Sequence, residues 1–244
     1  MNNLQSTLLF PVRDANARKQ LLIASLVTLA GMIVPLLPAL IVMGYGAKIV
    51  RQVVDEGREP SMPDWQGSDW GELLKDGFRM WAVRMVFTLP ILALMGCGLI
   101  FFLTSTGFFA SASDNNPMGL FGGISLFMGF GIFMLLIILS LPIAIITYAA
   151  ETHAITKQSF QAGFQFKEWW PIFMKNLGAF LLAYVIVIAM SAVLGIVIQI
   201  ASFTIVLLCI VPFLMMGYAT YTSLMMNALV AQAYEAGRAA LKSE

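Results

Sequence analysis

A few very long apolar stretches, separated by short polar segments, organise this chain. Residues 80–109 carry a single charge, Arg84, and residues 118–150 and 177–231 carry none. A helix needs roughly 20 apolar residues to cross a bilayer, so each stretch is long enough for at least one membrane span. An earlier apolar region, 21–45, is interrupted by Pro35 and Pro38, with Gly31 nearby. Proline removes a helix donor and clashes with the preceding turn. This region therefore reads either as one kinked span or as a short hairpin that turns at the prolines.

Internal echoes extend the hairpin reading. Leu37-Pro-Ala-Leu-Ile-Val-Met-Gly-Tyr45, Leu141-Pro-Ile-Ala-Ile-Ile-Thr-Tyr148 and Val211-Pro-Phe-Leu-Met-Met-Gly-Tyr218 each run from an aliphatic–Pro step through apolar residues to Tyr. Leu73-Leu-Lys-Asp-Gly-Phe78 is echoed by Ser159-Phe-Gln-Ala-Gly-Phe164. Self-similarity of this kind points to a repeated supersecondary unit. The expected fold is an all-α membrane protein, a multi-helix bundle of three helical hairpins at about 18–54, 80–150 and 176–234. Their tips fall at the two prolines, at 107–119 and near 199–202. Interfacial helical segments at about 55–79 and 151–175 connect them within one integral membrane domain over 1–244. The arms of the first hairpin are only about 25 Å long at 1.5 Å per residue, so it is short or re-entrant.

Composition agrees with lipid as the solvent. The chain is 59% hydrophobic and 11% charged, against about a quarter charged in soluble domains. A net charge of +1 gives no bulk attraction to nucleic acid. In the three-hairpin arrangement all 14 basic residues lie on one side and the tips hold one charge, Asp114. The positive-inside rule makes that side cytoplasmic, with both termini on it. A single straight span over 21–45 would place Arg13, Arg18 and Lys19 outside, so charge favours the hairpin. Trp65, Trp70, Trp81, Trp169 and Trp170 share the basic side, at the level where indole rings partition. The expected location is the inner (cytoplasmic) membrane, multi-pass. Met1-Asn-Asn-Leu-Gln-Ser-Thr lacks the basic and short apolar regions of a cleaved signal peptide.

Candidate chemistry is sparse. From Ser68 or Asp69, either of which can cap a helix, Trp70, Leu73, Leu74, Phe78 and Trp81 recur on one helical face. Glu72, Lys75, Asp76 and Arg79 take the other, the pattern of a helix lying along the membrane. Phe160, Phe164, Trp169 and Trp170 give 151–175 a similar aromatic face. Together with Trp65, these residues are the candidate interfacial or partner-docking set. His153, the single histidine, follows Glu151 by two residues, a spacing that faces two directions on a helix. With no second His or Cys nearby to complete a metal site, it reads as an exposed interfacial residue. Cys97 and Cys209 read as buried thiols. The 16 methionines suit packing better than a copper path, which needs Cys or His at its mouths. No catalytic, cofactor or metal residues are assigned. Proton or sodium coupling is disfavoured because the apolar arms lack the ionisable groups such pathways use. Hydroxyls such as Thr88, Ser140, Thr147 and Ser191 are expected to bond their own helices or to pack between helices.

Gly44-Tyr45, Met62-Pro-Asp-Trp65 and Asp76-Gly-Phe78, with a weaker later match at 159–166, give the chain a family likeness. It resembles the prokaryotic membrane family known as domain of unknown function 4013. The resemblance implies a small multi-helix membrane protein and carries no activity with it. The functional expectation is a non-enzymatic accessory, assembly or scaffold subunit of a membrane complex. Its partners would be membrane lipids and other membrane-protein subunits at the cytoplasmic interface, not nucleic acid. The alternative is a small transporter or lipid-handling protein with a groove between hairpins, lined by the hydroxyl residues.

Overall fold

A computed structural model describes residues 4–65, 67–110, 117–202 and 210–243. In chain order the helices are α1 (Leu4–Leu9), a 3-10 turn at Phe10–Val12, α2 (Ala15–Ala30), α3 (Leu36–Val54) and α4 (Trp70–Ala110). They continue with α5 (Pro117–Thr156), a 3-10 turn at Gln161–Phe164, α6 (Phe166–Lys175), α7 (Leu177–Ser202) and α8 (Val211–Lys242). Four stretches are long and apolar enough to cross a membrane: Leu36–Val54, Trp70–Thr104, Gly123–Thr156 and Leu177–Ile200. The chain is thus an all-helical, multi-pass membrane protein. Part of the second expected tip, 111–116 with Asp114, and the segment 203–209 with Thr204 and Cys209 lie outside the described residues.

The described residues form two compact units, Met1–Val83 with Tyr148–Glu244, and Arg84–Thr147. In the first, α2 is started by Asp14, whose Oδ1 accepts the Ala17 N–H at 2.7 Å. That satisfies one of the orphan amides of a helix N-terminus. At the other end the Gly31 N–H bonds back to the Thr28 carbonyl, and Pro35 stands immediately before α3. Residues 21–45 are therefore two helices joined by a turn at 31–35. By residue count they are about 24 Å and 28 Å long. The turn is apolar and exposed at Met32, Ile33, Val34, Leu36 and Leu37, a composition suited to lipid.

Helix α8 is the hub of this unit and packs against α2, α3, α6 and α7. Its residues from Leu224 to Ala231 are all buried. Small polar links fix its register: Thr28 Oγ1 lies 2.7 Å from Thr220 Oγ1, and Asn176 Nδ2 donates to the Ala233 carbonyl at 2.8 Å. Because α3 is enclosed by such neighbours, 61% of its apolar window is buried, against 6% for the windows of α4 and α7. Burial inside protein, rather than lipid exposure, explains why α3 tolerates Tyr45 and Lys48 within an apolar helix.

Helices α3 and α4 cross at glycines. A Cβ on Gly44 would lie 1.9 Å from the Leu73 carbonyl oxygen, and one on Gly77 would lie 1.8 Å from the Leu40 carbonyl oxygen. Small residues allow this backbone-to-backbone contact. Helix α4 is continuous from Trp70 through Ala110, which corrects the expectation of a separate interfacial helix before the second arm. Asp69 supplies the cap, its Oδ1 accepting the Gly71 N–H at 2.8 Å.

The second unit contains the remainder of α4 and the larger part of α5, with most large apolar side chains exposed, among them Leu89, Leu103, Phe127 and Ile138. Leu99, Phe102, Phe130 and Phe133 line a partly enclosed space of about 200 Å³ between the two helices. Pro90 and Pro142 lie inside these helices, a placement common in membrane helices.

Candidate functional site

The polar residues of the first unit gather into two clusters and a loop clamp. Helix α3 brings Arg51 to α4. Its guanidinium bonds Glu72 Oε1 at 2.7 Å and also Asp76 Oδ2. The other Asp76 oxygen accepts from Arg79 at 2.5 Å. Asp76 and Arg79 are buried. Two arginines and two carboxylates neutralise one another, and charge-assisted hydrogen bonds of this kind make buried charges tolerable; the buried Arg51 Nε alone of that guanidinium's nitrogens has no partner among the described residues. This corrects the expected solvated polar face of α4: Asp76 is buried and ties α4 to Arg51 of α3, Arg79 is buried against Asp76 within α4, and Glu72 and Lys75 remain exposed.

The second cluster lies where α5 ends against α6 and α8. His153 is buried, not exposed as the isolated motif suggested. Its Nδ1 lies 2.6 Å from the Tyr234 hydroxyl, and its Nε2 lies 3.4 Å from Glu168 Oε2. Lys157 Nζ approaches the same Glu168 oxygen at 3.2 Å. Hydrogen bonding to Lys157 holds the Glu168 carboxyl below its ordinary range. One turn beyond Tyr234, Arg238 bonds Glu235 at 2.6 Å and donates to the Val54 carbonyl, closing the C-terminus of α3. Cations are favoured at that end of a helix. Glu151 is buried on α5 together with His153.

The loop clamp is Met62-Pro-Asp-Trp65. Trp65 stacks on Tyr45 with ring centroids 4.2 Å apart and planes 3° from parallel. Its Nε1 donates to the Gln20 carbonyl at 3.1 Å, and its backbone N–H donates to Gln20 Oε1. Tyr45 donates its hydroxyl proton to the Pro63 carbonyl at 2.5 Å. The loop is thereby folded into the space between α2 and α3, and each buried polar tip has a partner, as burial demands.

The aromatic residues read from the sequence divide three ways. Trp65, Leu73 and Trp169 are buried inside the protein, so they cannot form part of a docking surface on the folded chain. For the two tryptophans the reason is that an indole with a hydrogen-bonded N–H is as well suited to a core as to an interface; Trp169 Nε1 donates to the Gly163 carbonyl at 3.1 Å. Leu74, Trp81 and Phe164 are half-buried. Trp70, Phe78, Phe160 and Trp170 are exposed, and Cys97, expected to be buried, is exposed as well.

The hydroxyls behave as expected of membrane helices. Thr88, Ser140, Thr147 and Ser191 each donate to a carbonyl three or four residues back. Among the described residues no group of three or more His, Cys, Asp or Glu side chains is placed to hold a metal. Sequence reasoning missed the Arg51–Asp76 pairing and the His153–Tyr234 pairing, since both join residues far apart in the chain. Gly44 and Gly77 were visible within the family motifs, but nothing local showed that they face each other.

No curated protein and no solved structure matches the chain. Residues 27–203 match the family described as protein of unknown function (DUF4013), a region running from within α2 past the end of α7. With well over half of its length inside that match, the chain belongs to this family.

Proposed function

We propose that the protein is a non-enzymatic subunit that assembles or scaffolds a membrane complex, docking another membrane protein through exposed aromatics of α4 and the α5–α6 link. The observation that supports this best is the use made of the charges. Arg51, Asp76, Arg79 and Arg238 bond helix to helix or within a helix, while Trp70 and Phe78 stay 50% and 56% exposed. Exposed aromatic side chains beside such a rigid layer are suited to binding, because aromatic anchors carry much of an interface's energy. In this reading the layer faces the cytoplasm at the inner membrane, by the charge rule. The transporter alternative has less support. Thr88, Ser140, Thr147 and Ser191 bond their own helices, and the space between α4 and α5 is lined by Leu99, Phe102, Phe130 and Phe133.

A photo-cross-linking amino acid at position 70 or 78, in native membranes, tests the proposal. A discrete heterologous protein adduct at both positions, absent when the probe is moved to 185 on exposed α7, is the expected result. Adducts with lipid alone at 70 and 78 would sink the scaffold reading.

A further inference from the structure

Helix α6 has two apolar faces, one buried and one exposed. Trp169, Ile172 and Phe173 are buried. The packing is close: a Cβ on Gly237 of α8 would meet the Ile172 carbonyl oxygen at 2.5 Å. The other face carries Phe166, Trp170 and Met174, one helical turn apart, and all three are exposed. Phe166, Lys167, Trp170 and Pro171 line an open depression of about 480 Å³. Lys167 makes no ion pair or hydrogen bond among the described residues, whereas Lys157 is engaged by Glu168. Pro171 has no N–H to give the Lys167 carbonyl.

The position of this face relative to lipid follows from chain continuity. Helix α6 ends at Lys175, and the membrane-spanning stretch Leu177–Ile200 begins two residues later. Asn176 bridges the break and is held by the Ala233 carbonyl. A ten-residue amphipathic helix joined so directly to a span sits at headgroup depth. There Trp, Phe and Met side chains reach the acyl boundary and a lysine meets phosphate.

We propose that the Phe166–Lys167–Trp170–Pro171 depression is a binding site for the headgroup of an anionic phospholipid. Lys167 contacts the phosphate, and Trp170 with Met174 lies against the upper acyl chain. Charge complementarity selects the lipid class: among the described residues Lys167 is the one cation lining the depression and makes no ion pair, and the walls are apolar. The docking proposal is tested at Trp70 and Phe78 of α4 and this one at Lys167 and Trp170 of α6, so either assignment can fail without the other.

Native mass spectrometry of the full chain, titrated with equimolar phosphatidylglycerol and phosphatidylcholine, reads the site directly. The wild type is expected to favour the anionic lipid, and Lys167→Gln to reduce that preference roughly five-fold, the effect of one lysine near an anionic surface. Lys242→Gln, a change at the end of α8, should leave the preference intact. A second readout uses the full chain in bilayer nanodiscs. Lipids brominated near the headgroup should quench the fluorescence lost on Trp170→Phe, which retains an apolar ring and so keeps the fold. Equal lipid preference in Lys167→Gln and wild type overturns the proposal. So does a Trp170 emission insensitive to brominated lipid, which would assign the face to an acidic protein segment instead.

Discussion

At Gly44 and Gly77 the space left for a side chain is negative, since each missing Cβ would overlap a carbonyl oxygen of the facing helix. No rotamer change relieves contact between a Cβ and backbone, so α3 and α4 must separate to admit even a methyl group. Overpacking of this kind costs about 1–3 kcal/mol and sometimes more. Gly77→Ala is expected to lie at or above the top of that range, seen as a marked fall in the thermal unfolding midpoint in detergent. Gly178→Ala, where nothing lies within 4 Å, should be neutral or slightly stabilising because alanine loses less backbone entropy on folding. Equal effects at the two sites would mean the helices do not cross at Gly77. The residue scale is also where sequence reading was weakest. Trp65 and Trp169 were assigned to a surface because tryptophan is common there, yet their N–H partners are carbonyls of Gln20 and Gly163 within the core.

Elements were far more legible than the pairs between them. Apolar runs located the long helices, and the two prolines with Gly31 marked the place where α2 gives way to α3. The start of α4 is readable at Ser68 or Asp69 because capping is local chemistry, and Asp69 is the one that caps. The contact of α5 with α6 and α8 was not readable, because His153 and Tyr234 are 81 residues apart. This junction has a pH dependence whose sign follows from Glu168. Its carboxyl is held below the ordinary range chiefly by Lys157. The stabilisation is therefore present above the ordinary carboxylate pKa and is lost as pH falls through the depressed value. The unfolding midpoint should drop on acidification below the usual carboxylate range, and Glu168→Gln should shrink that drop. An unchanged pH profile in the variant would show that the Lys157 contact contributes nothing.

For the whole molecule, fold class followed from composition and hydrophobic periodicity, since a chain with 11% charged residues has too little polar surface to be solvated by water. The proposed orientation rests on the charge rule, and its test is chemical. With Cys97 and Cys209 replaced, a cysteine at position 33 in the apolar α2–α3 turn is expected to resist membrane-impermeant maleimide from either side. Cysteines at 58 and 242 should react only from the cytoplasmic side of inverted vesicles. Labelling of 58 and 242 from opposite sides would refute the shared-side topology.

The central place of α8 has a further consequence, for the timing of biogenesis. The helix that encloses α3 and α2 follows the other described helices and is complete only roughly 190 residues after α3 ends. At synthesis rates of about 5–20 residues per second this is a delay of roughly 10–40 s. During that interval the faces of α2 and α3 that later meet Thr220, Leu224 and Ala228 have no partner from their own chain. Until α8 is in place, Thr28 and the carbonyl end of α3 therefore lack the partners that α8 gives them. A chain stopped at residue 203, where the family match ends, would remain in that state.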